Sequence, residues 1–443
     1  MLGGGGFRTP LVYAALAATG SGVTEVVLQD TDAARLDVMA QVLAPVAASA
    51  GETAPRVSTT TRLDTALEGA DFVFSAIRVG GAAARVQDER VALGLGLLGQ
   101  ETTGAGGVAY GLRTIPVARK IAERVRSVAP DAWVINFTNP AGMVTEAMQS
   151  VLGSRVIGIC DTPITMAKRA ARLLGVSADT TLELDYVGLN HLGWLRGLGA
   201  GGEDLLPRLL ADDALLGATE EGQLFGLDWV RALGVLPNEY VYYYDFTRDA
   251  VAAIRAGGAT RGEFLHRQQG AFYRAAHADP AHAHERWTVV RQERESTYMA
   301  AEHAGGQRGG DVGVADVGGY EGVALSLMRA ITHDERATMI LNVGNGSTIS
   351  ALPPDAVVEV PVTVGRDGPR ALALAPPDLH QLGLMAQVKA VDRLTIEAAV
   401  TRSPEAAEQA FALHPLVDSA TTARSLLRAY REAIPEVDAV FAS

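Results

Sequence analysis

What most constrains this chain is a pattern repeated three times in its first half. A short apolar run closes on small polar residues in ADFVFSAIRVGG (70–81), AWVINFTNP (132–140) and RVIGICDTP (155–163). Runs this short, rich in Val, Ile and Phe, read as buried strands. Between them lie helical stretches around residues 82–93, TIPVARKIAERVRSVAP (114–130) and AGMVTEAMQSVLG (141–153). Strands alternating with helices at this spacing impose right-handed crossovers and a parallel sheet. Such a sheet binds its ligands beyond the carboxyl ends of its strands, where all three runs place their polar residues.

The same logic governs the amino terminus. Gly3, Gly4, Gly5 and Gly6, followed by Phe7 and Arg8, form a glycine turn, and the helix after it opens with Thr9 as N-cap and Pro10 at the first helical position and closes at Gly20. Backbone without side chains can approach a pyrophosphate, and the helix N-terminus offers it N–H groups. TEVVLQD (24–30) then ends in Asp30, a carboxylate suited to a ribose 2′-hydroxyl, in preference to Asp32. Gly3–Gly6, Phe7, Arg8 and Asp30 are therefore the expected dinucleotide site, although the third glycine of the usual fingerprint is replaced by Arg8 or Thr9. Only Met1 and Leu2 precede the glycines, so the first strand should be nearly missing, its neighbours' backbone unpaired, and Met1 a misassigned start.

Beyond residue 178 the rhythm changes. TLELDYVGLNHLGWLRGL (181–198) reads as strand, polar turn and strand of a mixed or antiparallel sheet, residues 220–276 as helix, a glycine-rich stretch covers 305–322, ATMILNVGN (337–345) and DAVVEVPVTVG (355–365) are strands, and the remainder from about His380 is helical. The fold class is α/β: a Rossmann-like parallel-sheet domain over 1–177, followed by an α+β substrate- and metal-binding domain over 178–443. A net charge of −13 excludes a general nucleic-acid binder, and no apolar run is long enough to span a membrane. The lone Cys160 permits no intrachain disulfide and fits the cytoplasm.

Several residues carry chemistry at this level. Cys160 and Asp161 end a buried strand, and His191 lies in the polar turn GLNHLGW. A thiolate and an imidazole hold a divalent transition metal when water and substrate oxygens complete the sphere; each residue alone is as readily a buried thiol or a turn histidine. Asn139 precedes Pro140, which pushes its backbone out of the helical region and frees its amide for a crevice. Arg85 and Arg261 are candidates for a phosphate or carboxylate. Of Tyr240, Tyr242, Tyr243 and Tyr244 only one can act as a base, and spacing does not choose it.

Six ordered stretches, GGGGFRTP, GQETTGAGGVAYGLRTIP, INFTNPAG, GICDTP, GLNHLGW and PNEYVYYY, together resemble the NAD- and manganese-dependent glycosidases of glycoside hydrolase family four, closest to the 6-phospho-β-glucosidases. LNVGNGSTISALP and VKAVDRLTIEAA extend the likeness over essentially the whole chain. Lactate and malate dehydrogenases share the architecture distantly, without GICDTP and GLNHLGW. The resemblance implies NAD and Mn²⁺ as cofactors, Cys160 and His191 as metal ligands, Tyr240 as catalytic base, and Arg85, Asn139 and Arg261 as substrate contacts. It implies Asp161 as the proton donor proposed for the α-specific members, where many β-specific members have Asn. It further implies oxidation at C3 of the sugar, loss of the C2 proton, elimination at C1, addition of water at C1 and return of the hydride, acting on a phosphorylated disaccharide or glycoside, in a homodimer or homotetramer. A 2-hydroxyacid or sugar-phosphate dehydrogenase and a non-catalytic NAD-dependent sugar-phosphate sensor are the alternatives.

Overall fold

The computed structural model describes residues 1–18, 21–297 and 319–442. The strands, in chain order, are β1 (Glu25–Gln29), β2 (Arg56–Thr60), β3 (Phe72–Ser75), β4 (Trp133–Asn136), β5 (Val156–Gly158), β6 (Leu182–Leu189), β7 (Leu192–Ala200), β8 (Glu203–Asp204), β9 (Leu236–Pro237), β10 (Ala337–Gly344), β11 (Val357–Gly365) and β12 (Gly368–Ala371). β1 pairs with β2, β3 with β4 and β4 with β5, all in parallel, as the strand–helix alternation requires. The sheet then continues β5-β10-β11-β6-β7, antiparallel throughout. The strands after residue 178 thus extend the first sheet, with a hairpin from the distant 337–365 region inserted between β5 and β6.

One row of paired residues crosses this sheet. Ser75 pairs with Asn136, Asn136 with Gly158, Gly158 with Asn342, Asn342 with Glu359, and Glu359 with Gly188. On the other side Leu2 bridges both Ser75 and Gln29. On the parallel strands the candidate residues come soon after that row in the chain: the glycines after Leu2, Asp30 after Gln29, Asn139 after Asn136 and Cys160 after Gly158. These residues lie at the carboxyl edge of the parallel strands. β6 runs opposite to β5, and His191, in the turn after it, is tied to the Asn139–Pro140 loop instead through its neighbour Asn190, whose Oδ1 accepts from Ala141 N–H at 3.1 Å.

The amino terminus corrects one expectation. Two residues suffice to join β1 to β3: Leu2 N–H donates to Phe74 O at 2.8 Å, Ala76 N–H to Leu2 O at 3.0 Å, and Gln29 N–H to Met1 O at 2.9 Å. The Met1 amino group bonds Val27 O at 2.8 Å, and burial pushes its pKa down to about 5. These neighbouring backbone groups are therefore paired. The helix Thr9–Ala18 includes Thr9 as its first residue instead of being capped by it, because the Gly3–Gly6 turn runs on into it through Thr9 N–H to Gly6 O at 3.1 Å. The expected end at Gly20 and most of the glycine-rich 305–322 stretch lie outside the described residues.

Below the edge, the helices Gly81–Gly94 and Ala105–Val128 pack against the C-terminal helices from Leu379–Thr401 to Pro435–Phe441 in one apolar cluster containing Ile115, Phe411 and Tyr430. Inside it Arg113 meets Asp88 through two 2.7 Å bonds and donates to Val79 O at 3.0 Å, which anchors the Ile77–Gly80 loop. Among the described residues no helix is long and apolar enough to cross a membrane.

Candidate active site

The glycine loop is built by close approach. A Cβ on Gly3, whose φ is 75°, would stand 2.6 Å from Ala76 O, and one on Gly4 would stand 2.7 Å from Leu28 Cβ. Real Cβ atoms do not come this near, so the loop can lie against the β1 and β3 ends only without side chains. Asp30 braces it: Oδ2 accepts from Gly5 N–H at 3.0 Å, and Oδ1 from Asp32 N–H at 3.2 Å. Side chains from the second half close over the loop's carbonyls. Tyr273 OH donates to Gly5 O at 2.7 Å, Trp287 Nε1 to Phe7 O at 2.8 Å, and Tyr320 OH to Arg8 O at 3.1 Å. The Arg8 guanidinium lies over Phe137 and Tyr320, which stack 4.2 Å apart.

Two strands along the sheet from the loop's partner β3, Cys160 is buried just past β5. Burial, then the carboxylates of Glu359 and Asp161, push its thiol well above the ordinary range. Asp161 is the N-cap of the helix Thr162–Leu173. His191 occupies the β6–β7 turn with φ 62°, its ring stacked on Tyr240 at 3.7 Å and 4°. Burial holds its imidazole neutral, with a pKa down at about 4. Tyr240 is itself held by its N–H on Asn238 Oδ1 at 3.0 Å, while Tyr242 and Tyr243 are buried in the core. Glu359 connects the two sides. It accepts from Asn342 Nδ2 at 2.9 Å, Tyr186 OH at 3.0 Å and Asn190 Nδ2 at 3.5 Å, and burial pushes it up to about 7.

A metal would find a deprotonatable thiol and a neutral imidazole here, which suits transition-metal ligation. Among the described residues no three His, Cys, Asp or Glu side chains cluster as a complete ligand set. The remaining positions must come from water or substrate. Asn139, in a cis peptide with Pro140, supplies an independent sign of a ligand: its Oδ1 is buried and has no partner among the described residues.

The opposite wall is charged. Glu101 binds Arg78 at 2.6 Å and Arg85 at 2.7 Å, and Arg85 also reaches Glu89 at 3.0 Å. Burial opposes ionisation of Glu101, yet the guanidinium groups of Arg78 and Arg85 outweigh it and hold the carboxyl at about 2. Arg261, first residue of the helix Arg261–Ala278, donates to Thr297 Oγ1 at 2.8 Å and to Arg294 O at 2.7 Å. Arg294, whose guanidinium centre is 5.9 Å from the Phe7 ring centroid, feels burial and the like charges of Arg8, Arg85 and Arg261, which drive its pKa down. Four guanidinium groups thus converge beside the glycine loop, an arrangement that favours an anion.

Residues 1–176 match the family described as "Family 4 glycosyl hydrolase", and residues 186–417 match its C-terminal domain. The chain belongs to glycosyl hydrolase family 4. This family 4 hydrolase is 32% identical over 426 residues to a 6-phospho-alpha-glucosidase of Leptotrichia buccalis, covering 91% of this chain and 90% of that one. It is 33% identical over 389 residues to a 6-phospho-beta-glucosidase of Escherichia coli, covering 84% and 80%. Among solved structures it resembles the 6-phospho-beta glucosidase of Thermotoga maritima with manganese, NAD⁺ and glucose-6-phosphate, at a TM-score of 0.80 and 26% identity over 98% of both chains. Relatives of both anomeric names match almost equally, so identity does not select the β anomer expected from the motifs.

The structure sets Gly3–Gly6, Asp30, Asn139, Cys160 and Asp161 at the carboxyl ends of the parallel strands, His191 in the β6–β7 turn with Tyr240 stacked on it, and Arg8, Arg85 and Arg261 within electrostatic reach of Arg294. Sequence reasoning missed Glu101, Arg78, Arg294 and Glu359. GQETTGAGG was visible as a motif, but nothing in it marked Glu101 as the counter-ion of two arginines.

Proposed function

We propose that this family 4 hydrolase cleaves 6-phosphoglucosides, using NAD and Mn²⁺, in the cytoplasm. The observation that carries the proposal is the crowding of Arg294 by the like charges of Arg8, Arg85 and Arg261 beside the glycine loop. Like charges brought this close destabilise the ligand-free chain, and a dianionic phosphate offsets them. The proteins it resembles point the same way, since the Thermotoga maritima enzyme carries glucose-6-phosphate together with both cofactors.

The residues divide the work by position. Cys160 and His191 would hold the metal, and the loop Gly3–Arg8 with Asp30 the dinucleotide. When bound, NAD⁺ would supply reversible hydride acceptance at C3 and the metal Lewis-acid stabilisation of the charge that develops on the sugar. Tyr240, fixed against the His191 ring, takes the C2 proton; a phenol normally ionises near pH 10, so it needs the cationic surroundings of this crevice. Asp161, next to Cys160, protonates the leaving oxygen at C1, and water then adds at C1 and a proton at C2 of the unsaturated sugar to complete the hydrolysis. Arg85, Arg261 and Arg294 hold the 6-phosphate, and Asn139 Oδ1 accepts from a sugar hydroxyl. The route is the family's departure from the two-carboxylate glycosidases.

A panel of α- and β-nitrophenyl glucosides, with and without the 6-phosphate and with NAD⁺ and Mn²⁺ added or withheld, tests this. Cleavage confined to phosphorylated substrates and dependent on both cofactors, with deuterium entering C2 of the released sugar, is the expected result. Stoichiometric accumulation of NADH, or equal cleavage of unphosphorylated glucosides, refutes it.

A further inference from the structure

We infer that Gln100 and Thr102 are positioning residues that fix His191 in its Nδ1–H tautomer, so that the Nε2 lone pair faces the crevice. The inference rests on the proposed metal role of His191 only for its functional meaning, not for the tautomer itself.

The argument is one of hydrogen-bond direction. Gln100 Oε1 lies 2.6 Å from the backbone nitrogens of both Thr102 and Thr103. Backbone N–H groups only donate, so the atom they meet is the carboxamide oxygen and its orientation is settled. The same oxygen lies 3.1 Å from Thr102 Oγ1. Since it only accepts, the Thr102 hydroxyl must donate to it and so spends its single proton. Thr102 Oγ1 is also 2.9 Å from His191 Nδ1. With the proton committed to Gln100, the hydroxyl oxygen can only accept there, which requires a hydrogen on Nδ1. In a neutral imidazole Nε2 is then the unprotonated nitrogen.

The segment carrying these groups is held down firmly. A Cβ on Gly106 would collide with Gln100 O, and one on Gly107 with Thr102 O. The first turn of the helix Ala105–Val128 is therefore in direct backbone contact with residues 100–102, which explains the glycines of TTGAGG. Tyr240 covers one face of the imidazole and Thr102 holds its edge, so both ring rotation and tautomer are fixed before any ligand arrives. Outer partners of this type typically change metal affinity roughly 10- to 100-fold.

Two variants test this in the full-length chain, Thr102→Val and Thr102→Ser, with thermal unfolding to confirm that each is folded. In the metal-free protein labelled with ¹⁵N-histidine, and with the His191 signals identified by their loss in His191→Gln, the wild type and Thr102→Ser should show Nδ1 protonated. Thr102→Val should show a mixture of tautomers. Mn²⁺ titration followed by the electron paramagnetic resonance of the free ion should weaken roughly 10- to 100-fold in Thr102→Val and by less than about threefold in Thr102→Ser. A wild type with Nε2 protonated, or a Thr102→Val chain with unchanged tautomer, overturns the inference. If His191→Gln binds Mn²⁺ as tightly as the wild type, the metal reading fails instead, and the tautomer result stands separately.

Discussion

The glycine loop and the arginine wall adjoin at Arg8, yet they are assembled in opposite ways. At the loop even a methyl group is too much, because Ala76 O and Leu28 Cβ already stand where a Cβ would go. At the wall the longest cationic side chains in the chain crowd together, with Glu101 shared between Arg78 and Arg85. The loop is braced as folded: the N–H groups of Gly4 and Gly5 meet Gln29 O and Asp30, and the carbonyls of Gly5, Phe7 and Arg8 meet Tyr273, Trp287 and Tyr320. The wall concentrates positive charge beside it. A backbone site earns stability and shape together, whereas a side-chain site for an anion gives up stability for later binding.

The largest effect should come from forcing a side chain into the loop. Gly3→Ala combines a left-handed φ with a 2.6 Å approach to Ala76 O, a strain and overpacking cost of roughly 2–6 kcal/mol. Thermal unfolding should show a large fall in Tm, with NAD⁺ binding lost as well; a variant with wild-type Tm would break the contrast. On the catalytic side, Tyr240→Phe should keep the fold and Mn²⁺ binding while kcat falls roughly 10²- to 10⁴-fold. A drop in Tm of similar weight to that of Gly3→Ala would make Tyr240 a core residue instead.

Arg294→Gln should separate stability from binding. Removing one of four mutually repelling cations should leave Tm at or above that of the wild type. Affinity for glucose 6-phosphate should fall roughly 10- to 100-fold, as expected for the loss of a charge-assisted bond. Lower Tm with unchanged affinity would assign Arg294 to structure.

The smallest effect is a pH dependence. Glu101 is held at about 2 in the fold against an ordinary 4.5. Between those values the unfolded chain binds a proton that the folded chain does not, so the stability from this group is complete above pH 4.5 and drains away as pH falls toward 2. Calorimetry of wild type and Arg78→Gln should give a Tm difference that is greatest near pH 6 and narrows below 4.5. A difference constant down to pH 3 would remove the Arg78–Glu101 pair from the explanation.

Much of this was open to sequence reasoning, for local reasons. Strand and helix periods, the glycine run, Asp30 after its strand, and Cys160, Asp161 and Asn139 at strand ends are written in neighbouring residues, because backbone geometry and burial act over a few positions. Charges that pair across distant segments are different. Arg78 and Glu101 look like ordinary polar residues until the chain folds and pairs them. Glu359 sits in an apolar run, where sequence gives no hint that Asn342, Tyr186 and Asn190 will satisfy it.

By itself the sequence determined that a parallel sheet would form, that its first turn would carry no side chains, and which strand ends would be polar. Only the tertiary structure decided that β10 and β11 would slide between β5 and β6, bringing Gly158, Asn342, Glu359 and Gly188 into one row. It likewise decided that Thr102 would meet an imidazole 89 residues away. The reason is that register across a sheet and the pairing of distant side chains depend on how the whole chain shares out its buried surface and hydrogen bonds, a balance no short segment contains.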